Sequence, residues 1–346
     1  MIAEHKTPLL GMNLEQLRAV AAECGLQRFA AGQIARWIYG RRVVSFDEMT
    51  DLSKRGREQL AARYCIGRQE PKAESRSKDG TVKYLFEGAG GRDIEAVYIP
   101  DRDRATLCVS SQAGCKMGCT FCMTGRQGFH GNLTAAQIVN QILSIPESDT
   151  LTNIVFMGMG EPLDNIDAVL DAVSVLTESW GLAWSPKRIT VSTVGHLPAL
   201  RRLLEETKVH VVLSVHTPFA DERAGLMPVE RAWPVARVVD TLRDYDFAHQ
   251  RRLSVEYTMW AGVNDDMRHA DALARLLRGT SARANLIRFH AIPDSTLRPA
   301  SQKAMEAFRD RLNERGVTAT IRASRGEDIE AACGMLAGKE KTLKND

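Results

Sequence analysis

The sequence predicts an α/β protein: a partial (β/α)6 barrel of TIM type, preceded by a small helical domain. Three observations carry this. From about residue 105 onward, short apolar runs alternate with helical patterns, which implies a parallel sheet with helical crossovers. About six strand–helix units can be counted, fewer than the eight of a closed barrel. The first 64 residues, in contrast, read as helices only.

In the helical part, Asn13 with Gln16 forms a capping pattern and Gly25 can end the helix. Ile34, Trp37 and Ile38 recur at helical spacing before Gly40, and Ser45 with Glu48 repeats the capping pattern before a third, more polar segment. Residues 70–80 are polar and turn-rich, as in a linker, and residues 82–86, 94–99 and 105–109 read as strands. Beyond them, strands are expected at 153–157, 188–192, 210–216, 253–259 and 284–289, with a further run at 317–322. Helices are expected near 134–145, 167–178, 198–206, 234–245, 268–277 and 302–315. The expected organisation is a helical domain over residues 1–69, a linker and β-extension over 70–104, and a core over 105–346.

With 346 residues, 44% of them apolar and 26% charged, the chain has the composition of an ordinary soluble protein with ample length for a buried core. A net charge of +3 does not by itself demand a nucleic-acid partner. The basic pairs Arg41-Arg42, Arg201-Arg202 and Arg251-Arg252 could touch phosphates or simply be solvated surface. No stretch approaches a membrane span, the N-terminus lacks the apolar core of a secretory signal, and seven cysteines form an odd set. A cytoplasmic monomer is expected, with clustered cysteines meaning metal or catalysis rather than disulfides.

Those clustered cysteines are Cys115, Cys119 and Cys122, at C-x-x-x-C-x-x-C spacing in a glycine-punctuated loop after an apolar strand. Strand carboxyl ends are where α/β folds place their chemistry. A closed zinc site wants four ligands, and His130, the nearest candidate for a fourth, fits no common pattern. A four-iron cluster on three thiolates leaves one iron open to a small molecule. A zinc-stabilised, non-catalytic RNA-binding module remains the rival.

The later strand ends carry small or polar groups: Gly158 to Pro162 with Gly160 and Glu161, then Ser192-Thr193, then Ser214-Val215-His216, and finally His290. The glycines permit close approach of a ligand, and the Glu161 carboxylate could receive an ammonium. Each residue taken alone could equally be a satisfied core group. Cys333, among small residues late in the chain, reads as either a buried apolar thiol or a ligand-facing one. An alternating strand would put Glu95 in solvent.

The C-x-x-x-C-x-aromatic-C form, with Phe121 before the last cysteine, resembles the radical S-adenosylmethionine superfamily. FAAGQIARWIYG, FDEMTDLSK, VYIP, TLCVSSQAGC, FMGMGEPLDN, TVSTVG, LSVHTP, GVND and RGEDIEAACGML together resemble the RlmN/Cfr family of RNA methyltransferases, and RlmN more than Cfr. The resemblance implies a [4Fe-4S] cluster on the three cysteines and two S-adenosylmethionine molecules per turnover. One methylates Cys333. The other yields a 5′-deoxyadenosyl radical that takes a hydrogen from the new S-methyl group, and the resulting carbon adds to an adenine. Glu95 matches the family's proton acceptor, and Cys108 the cysteine whose disulfide with Cys333 releases product. Gly160, Glu161, Ser192, Ser214, Val215 and His216 match cofactor-binding positions. At His290 many members have asparagine, so that contact departs from the pattern. The implied substrates are carbon 2 of an adenosine in 23S rRNA near the peptidyl transferase centre, and the adenosine 3′ of the anticodon in some tRNAs. The implied electron donor is a flavodoxin or ferredoxin. Segments such as SPKRITVSTVG are also similar to Cfr, which keeps methylation at carbon 8 open as the alternative.

Overall fold

The computed structural model describes residues 6–247, 249 and 251–338. The expected domains' outermost residues, 1–5 and 339–346, lie outside the described residues.

The N-terminal domain opens with strand β1 (Thr7–Pro8) and helix α1 (Leu14–Glu23), whose capping box is formed by Asn13 and Gln16. Helix α2 (Ala30–Ala35) runs on into a π-turn at Arg36–Gly40. The Ser45–Glu48 capping box is present, but it closes a single 3₁₀ turn, and helix α3 (Lys54–Arg63) starts afresh from Ser53. Strand β2 (Tyr64–Cys65) then pairs in parallel with β1, so this domain is not helical throughout.

The polar stretch read as a linker contains strand β3 (Ala73–Arg76), which pairs antiparallel with β4 (Val82–Glu87). That strand pairs with β5 (Asp93–Asp101), and β5 in turn with β6 (Arg104–Cys108). After β6 come strand β7 (Gln112–Gly114), the short helix α4 (Met123–Arg126), strand β8 (Phe129–Asn132) and helix α5 (Ala135–Leu143). Strands and helices then alternate: β9 (Asn153–Phe156), α6 (Ile166–Thr177), β10 (Ile189–Thr193), α7 (Leu197–Glu206) and β11 (His210–Ser214). A second helix pair follows, α8 (Ala220–Leu226) and α9 (Val235–Leu242). Strand β12 (Leu253–Met259), α10 (Met267–Leu277), β13 (Arg283–Arg288), α11 (Gln302–Glu314) and β14 (Ala319–Ile321) complete the sequence.

One ten-stranded sheet runs in the order β14-β13-β12-β11-β10-β9-β6-β5-β4-β3, parallel from β6 to β14 and antiparallel across its last three strands. The barrel is therefore open, and all six predicted strand–helix units are present. A β7–β8 hairpin stands apart, bracketing the cysteine loop.

The core is continuous from Leu9 and Leu10 through the sheet to Leu312. Burial on both faces explains why β4 and β5 do not alternate. On one face, Tyr84 donates its hydroxyl to Glu147, which follows α5. On the other, Lys83 and Glu95 lie beneath the C-terminal loop. Glu95 is consequently 1% exposed, not solvated as simple alternation implies. The basic pairs are largely structural: Arg251 is buried on the carbonyls of Leu204 and Thr207, and Arg202 pairs with Asp167 and Glu206. Arg42 holds Ser148 and Asp149, while Arg41 lies over the Trp37 ring.

Candidate active site

A cavity opens at the carboxyl ends of the parallel strands, and the three clustered cysteines, Cys108 and Cys333 all line it. The cysteine loop is clamped from several sides. Thr120 donates its amide to the Leu226 carbonyl at 3.0 Å, the Arg126 guanidinium holds the Thr120 carbonyl at 3.1 Å, and Cys122 caps α4. The Phe121 ring meets His216 edge-on at 5.0 Å and tilts against Trp260 at 4.9 Å. This accounts for an aromatic residue between the second and third thiols: it docks the loop onto the barrel floor.

Burial pushes the Cys115 thiol up to about 12 and Cys119 well above its ordinary value, with neighbouring thiolates adding to the effect. Three thiolates in such a place need cationic metal to exist together. Among the described residues, no three His, Cys, Asp or Glu side chains are drawn close enough to hold one metal ion. Three thiolates on one loop are one ligand short of a closed zinc site and fit a four-iron cluster, in which each sulfur would meet its own iron.

The cofactor positions named from the sequence line the same cavity at Gly160, Glu161, Ser192, Ser214 and His216. Gly160 has φ +97°, and a Cβ there would stand 2.5 Å from that of Gln112. Glu161 is 3% exposed, and its carboxylate is committed internally. It accepts from the Thr193 hydroxyl at 2.6 Å and from the amides of Leu163 and Val194, both at 3.0 Å. These donors tie the carboxylate to the strand ends while Glu161 still lines the cavity, and the glycine backbone beside it permits close approach of a ligand. His216 is a non-glycine residue at φ +60°. Its Nδ1 accepts from the Thr258 amide at 3.0 Å, and burial lowers the ring's pKa to about 3, so the ring is neutral with its proton on Nε2. Val215 is fully buried: its amide donates to the Glu256 carbonyl at 3.0 Å, and its carbonyl accepts from Arg223 at 3.1 Å and from the Thr217 amide at 2.8 Å. His290 lies apart from the cavity lining: Nε2 meets the Ser324 hydroxyl at 2.9 Å and Nδ1 the Glu327 carboxylate at 3.3 Å.

Of the three remaining site residues, Cys108 and Cys333 line the cavity, whereas Glu95 lies outside its lining, buried in β5 beneath the C-terminal loop. Lys83 pairs with Val97 and Val97 with Cys108, so one ladder row runs across β4, β5 and β6, with Glu95 two residues along the same face. The loop carrying Cys333 is stitched to α4. Met123 donates to the Gly334 carbonyl at 2.8 Å, Thr124 to that of Leu336 at 2.8 Å, and Gln127 to that of Ala337 at 2.7 Å. The supposed linker anchors the other end of the loop, through Asp79 on the Gly326 amide at 3.0 Å and Ser77 on Asp328 at 2.6 Å. Cys333 is surrounded by protein yet open to the cavity, and its thiol is pushed up to about 12, first by desolvation and then by the charge of Glu256. Burial, with the nearby Cys333, raises Cys108 further still. Both thiols are free.

Three residues here were not singled out in the sequence. Glu256 lines the cavity, accepts a hydrogen bond from Ser192, and is pushed up to about 7 by burial. A lone acid in the apolar run LSVEYTM was its only signal. Arg223 is fully buried, bonding the carbonyls of Val194, Ser214 and Val215 and pairing with Glu230. Lys83 stands 2.9 Å from Glu95, signalled only by opposite charges in neighbouring apolar strands.

Residues 7–66 match the model of the ribosomal RNA large subunit methyltransferase N-terminal domain, and residues 109–274 that of the radical SAM superfamily, whose members use a 4Fe-4S cluster and S-adenosylmethionine. Among curated relatives, the probable dual-specificity RNA methyltransferase RlmN of Parabacteroides distasonis is 56% identical, covering 98% of this chain and 98% of its own length. The dual-specificity RNA methyltransferase RlmN of Halorhodospira halophila is 44% identical, covering 96% of this chain and 93% of its own. The crystal structure of a radical SAM methyltransferase from Sphaerobacter thermophilus superposes with a TM-score of 0.89 at 39% identity, covering 96% of this chain and 100% of that one. A chain with these relatives over nearly its whole length, and with this cavity, belongs to the RlmN family of dual-specificity RNA methyltransferases in the radical SAM superfamily.

Proposed function

We propose that this enzyme methylates carbon 2 of an adenosine in 23S rRNA and of the adenosine 3′ of the anticodon in some tRNAs, with Cys333 as the methyl carrier. The observation that carries the reading is the meeting of Cys333, Cys108 and the three-cysteine loop in one cavity, although Cys333 follows Cys122 by more than two hundred residues. Relatives more than half identical to this chain bear the RlmN name, so the Cfr-like alternative at carbon 8 is not favoured.

The residues divide the work as follows. Cys115, Cys119 and Cys122 would hold the cluster through their thiolates. The backbone at Gly160, with Ser192, Ser214 and neutral His216, seats the S-adenosylmethionine. When bound, these groups supply a methyl group and a carbon radical, which an aromatic C–H carbon needs because it is too weak a nucleophile for direct displacement. Cys333 takes the methyl group on sulfur and presents it to the adenine, so that the RNA becomes tethered through the new carbon. Glu95 accepts the proton that leaves the ring carbon. The Cys108 thiolate would then attack the Cys333 sulfur; the disulfide forms as the bond from that sulfur to the tethering carbon breaks, and the carbon keeps the electron pair and takes up a proton as the methyl group of the departing RNA. Reading the helical domain as an RNA-docking module, a flavodoxin or ferredoxin as the electron donor, and the active species as a cytoplasmic monomer belongs to the same proposal. Among the described residues, no helix is long and apolar enough to cross a membrane.

Mass spectrometry of ribosomal RNA from a methyltransferase-null host tests it. Wild type should give 2-methyladenosine, Cys333→Ala none, and Cys108→Ala protein trapped on RNA. The appearance of 8-methyladenosine would move the assignment to carbon 8, and normal methylation by Cys333→Ala would remove the carrier mechanism.

A further inference from the structure

A carboxylate that must take a proton from a ring carbon has to be ionised, aimed, and free at one oxygen. In this structure both Glu95 oxygens are engaged, and the two partners differ in kind. Oε1 meets the Lys83 ammonium at 2.9 Å, and Oε2 accepts the Ala337 amide at 2.7 Å. Lys83 belongs to β4, a strand paired on both sides within the main sheet. Ala337 belongs to the loop that carries Cys333, four residues further on. One contact is therefore built into the sheet, and the other rides on the segment that has to accommodate the tethered adenine.

The ladder makes the first contact unavoidable. Leu85 pairs with Glu95 and Lys83 with Val97, so Lys83 sits one diagonal step from Glu95 on the same face of the antiparallel pair. The side chains are 9% and 1% exposed. An ammonium this buried is costly to retain unless its partner needs it, since a buried ion pair is often no more stable than apolar residues of similar size.

We propose that Lys83 is the positioning residue of the proton acceptor: it pins Glu95 Oε1, and Oε2, freed when Ala337 moves away, receives the proton. The inference rests on the reading of Glu95 given above. In the step itself, the ring C–H bond of the tethered adenine breaks, its proton passes to Oε2, and the electron pair of that bond stays in the ring. Lys83 keeps its own protons throughout and makes no contact with the RNA.

The test uses the full-length, cluster-loaded enzyme with Lys83→Met, Lys83→Arg, Glu95→Gln and the double variant Lys83→Met/Glu95→Gln. Three quantities are read: S-methylation of the Cys333 peptide, covalent protein–RNA adduct on denaturing gels, and methyladenosine formed. Lys83→Met should carry S-methyl-Cys333 and form adduct, yet release product about 100-fold more slowly. Lys83→Arg should recover most of that loss, because it restores the cation. In the Glu95→Gln background, Lys83→Met should add no further loss, because Lys83 acts only through that carboxylate. A wild-type rate for Lys83→Met, or a comparable extra loss in the double variant, overturns the assignment, as does joint loss of S-methylation and adduct. Normal turnover by Glu95→Gln overturns the reading of Glu95 itself. The double variant lacks both charges and leaves no unpaired ion, so it stays informative if Lys83→Met alone folds poorly.

Discussion

Glu161 and Glu256 are both carboxyl groups pushed up to about 7 by burial, and their neighbours assign them different work. Glu161 has three donors converging on it and holds the ends of β10 and its own loop in register. Glu256 has the Ser192 hydroxyl and the more distant Arg322, and otherwise faces the cavity. A carboxyl whose folded value lies above its unfolded one keeps its proton longer in the folded state. The stability this contributes is complete below the ordinary value of 4.5 and is lost as pH rises through about 7. Glu256→Gln removes the loss by keeping the group neutral at every pH. In thermal melts of cofactor-free protein, the variant should gain on wild type from pH 4.5 to 8, by on the order of 1 kcal/mol after allowing for the open cavity. A constant difference across that range would mean that Glu256 is not held protonated by the fold. His216 acts in the opposite sense, since its lowered value makes the folded state resist protonation as pH falls below 6.5, and comparing variant with wild type cancels it.

Among the elements, legibility followed periodicity. Strands β9 to β13 and their helices were readable because each parallel strand is a continuous apolar run and each covering helix repeats at helical spacing. Strand β3 was not, because AESR is an edge strand, half exposed and without an apolar face. The same blindness hid how the site is assembled. The spacing of Cys115, Cys119 and Cys122 is local and could be seen, whereas the bonds from α4 to Gly334, Leu336 and Ala337 join segments more than two hundred residues apart. Cys333 and Glu95 stand out in the residues alone, but only the resemblance gives them roles. His290 was named from its place at a strand end, and its ring meets Ser324 and Glu327. The loop after β9 yields a sharp prediction. An alanine at Gly160 would need a left-handed backbone and would drive a methyl group against Gln112, whose side chain accepts the Glu161 amide at 2.9 Å and donates to Asn132 at 2.8 Å. Conformational strain of about 1–3 kcal/mol follows. Calorimetric titration of the cluster-loaded Gly160→Ala protein should show S-adenosylmethionine affinity at least 10-fold weaker, with iron content unchanged. Wild-type affinity would place the cofactor away from this backbone.

Across the whole molecule, the helical domain is bolted to the barrel rather than tethered to it. Asn13 bonds Asp171 on α6 at 2.9 Å, Arg68 holds the Leu143 carbonyl at 2.7 Å, and the Gln69 backbone exchanges bonds with the Asn140 side chain at 2.8 and 2.9 Å. Gly11 lies so close to α5 that a Cβ would stand 2.3 Å from the Ala136 amide. Cutting the domain away would bare the faces of α5 and α6, so its contribution to RNA binding is better probed on its surface. Arg28 and Arg41 are exposed there, and Phe29 beside Arg28 is 68% exposed, a flat ring next to a cation. Such a pair suits a phosphate backbone with an unstacked base. Neutralising Arg28 and Arg41 to glutamine should weaken RNA binding and lower the slope of log affinity against log salt by about 1 for each phosphate that loses its cation. S-methylation of Cys333 should be unchanged, because the cavity lies on the other domain. Unchanged affinity and slope would move the docking face off the helical domain. Loss of S-methylation would show that the two domains share more than a rigid frame.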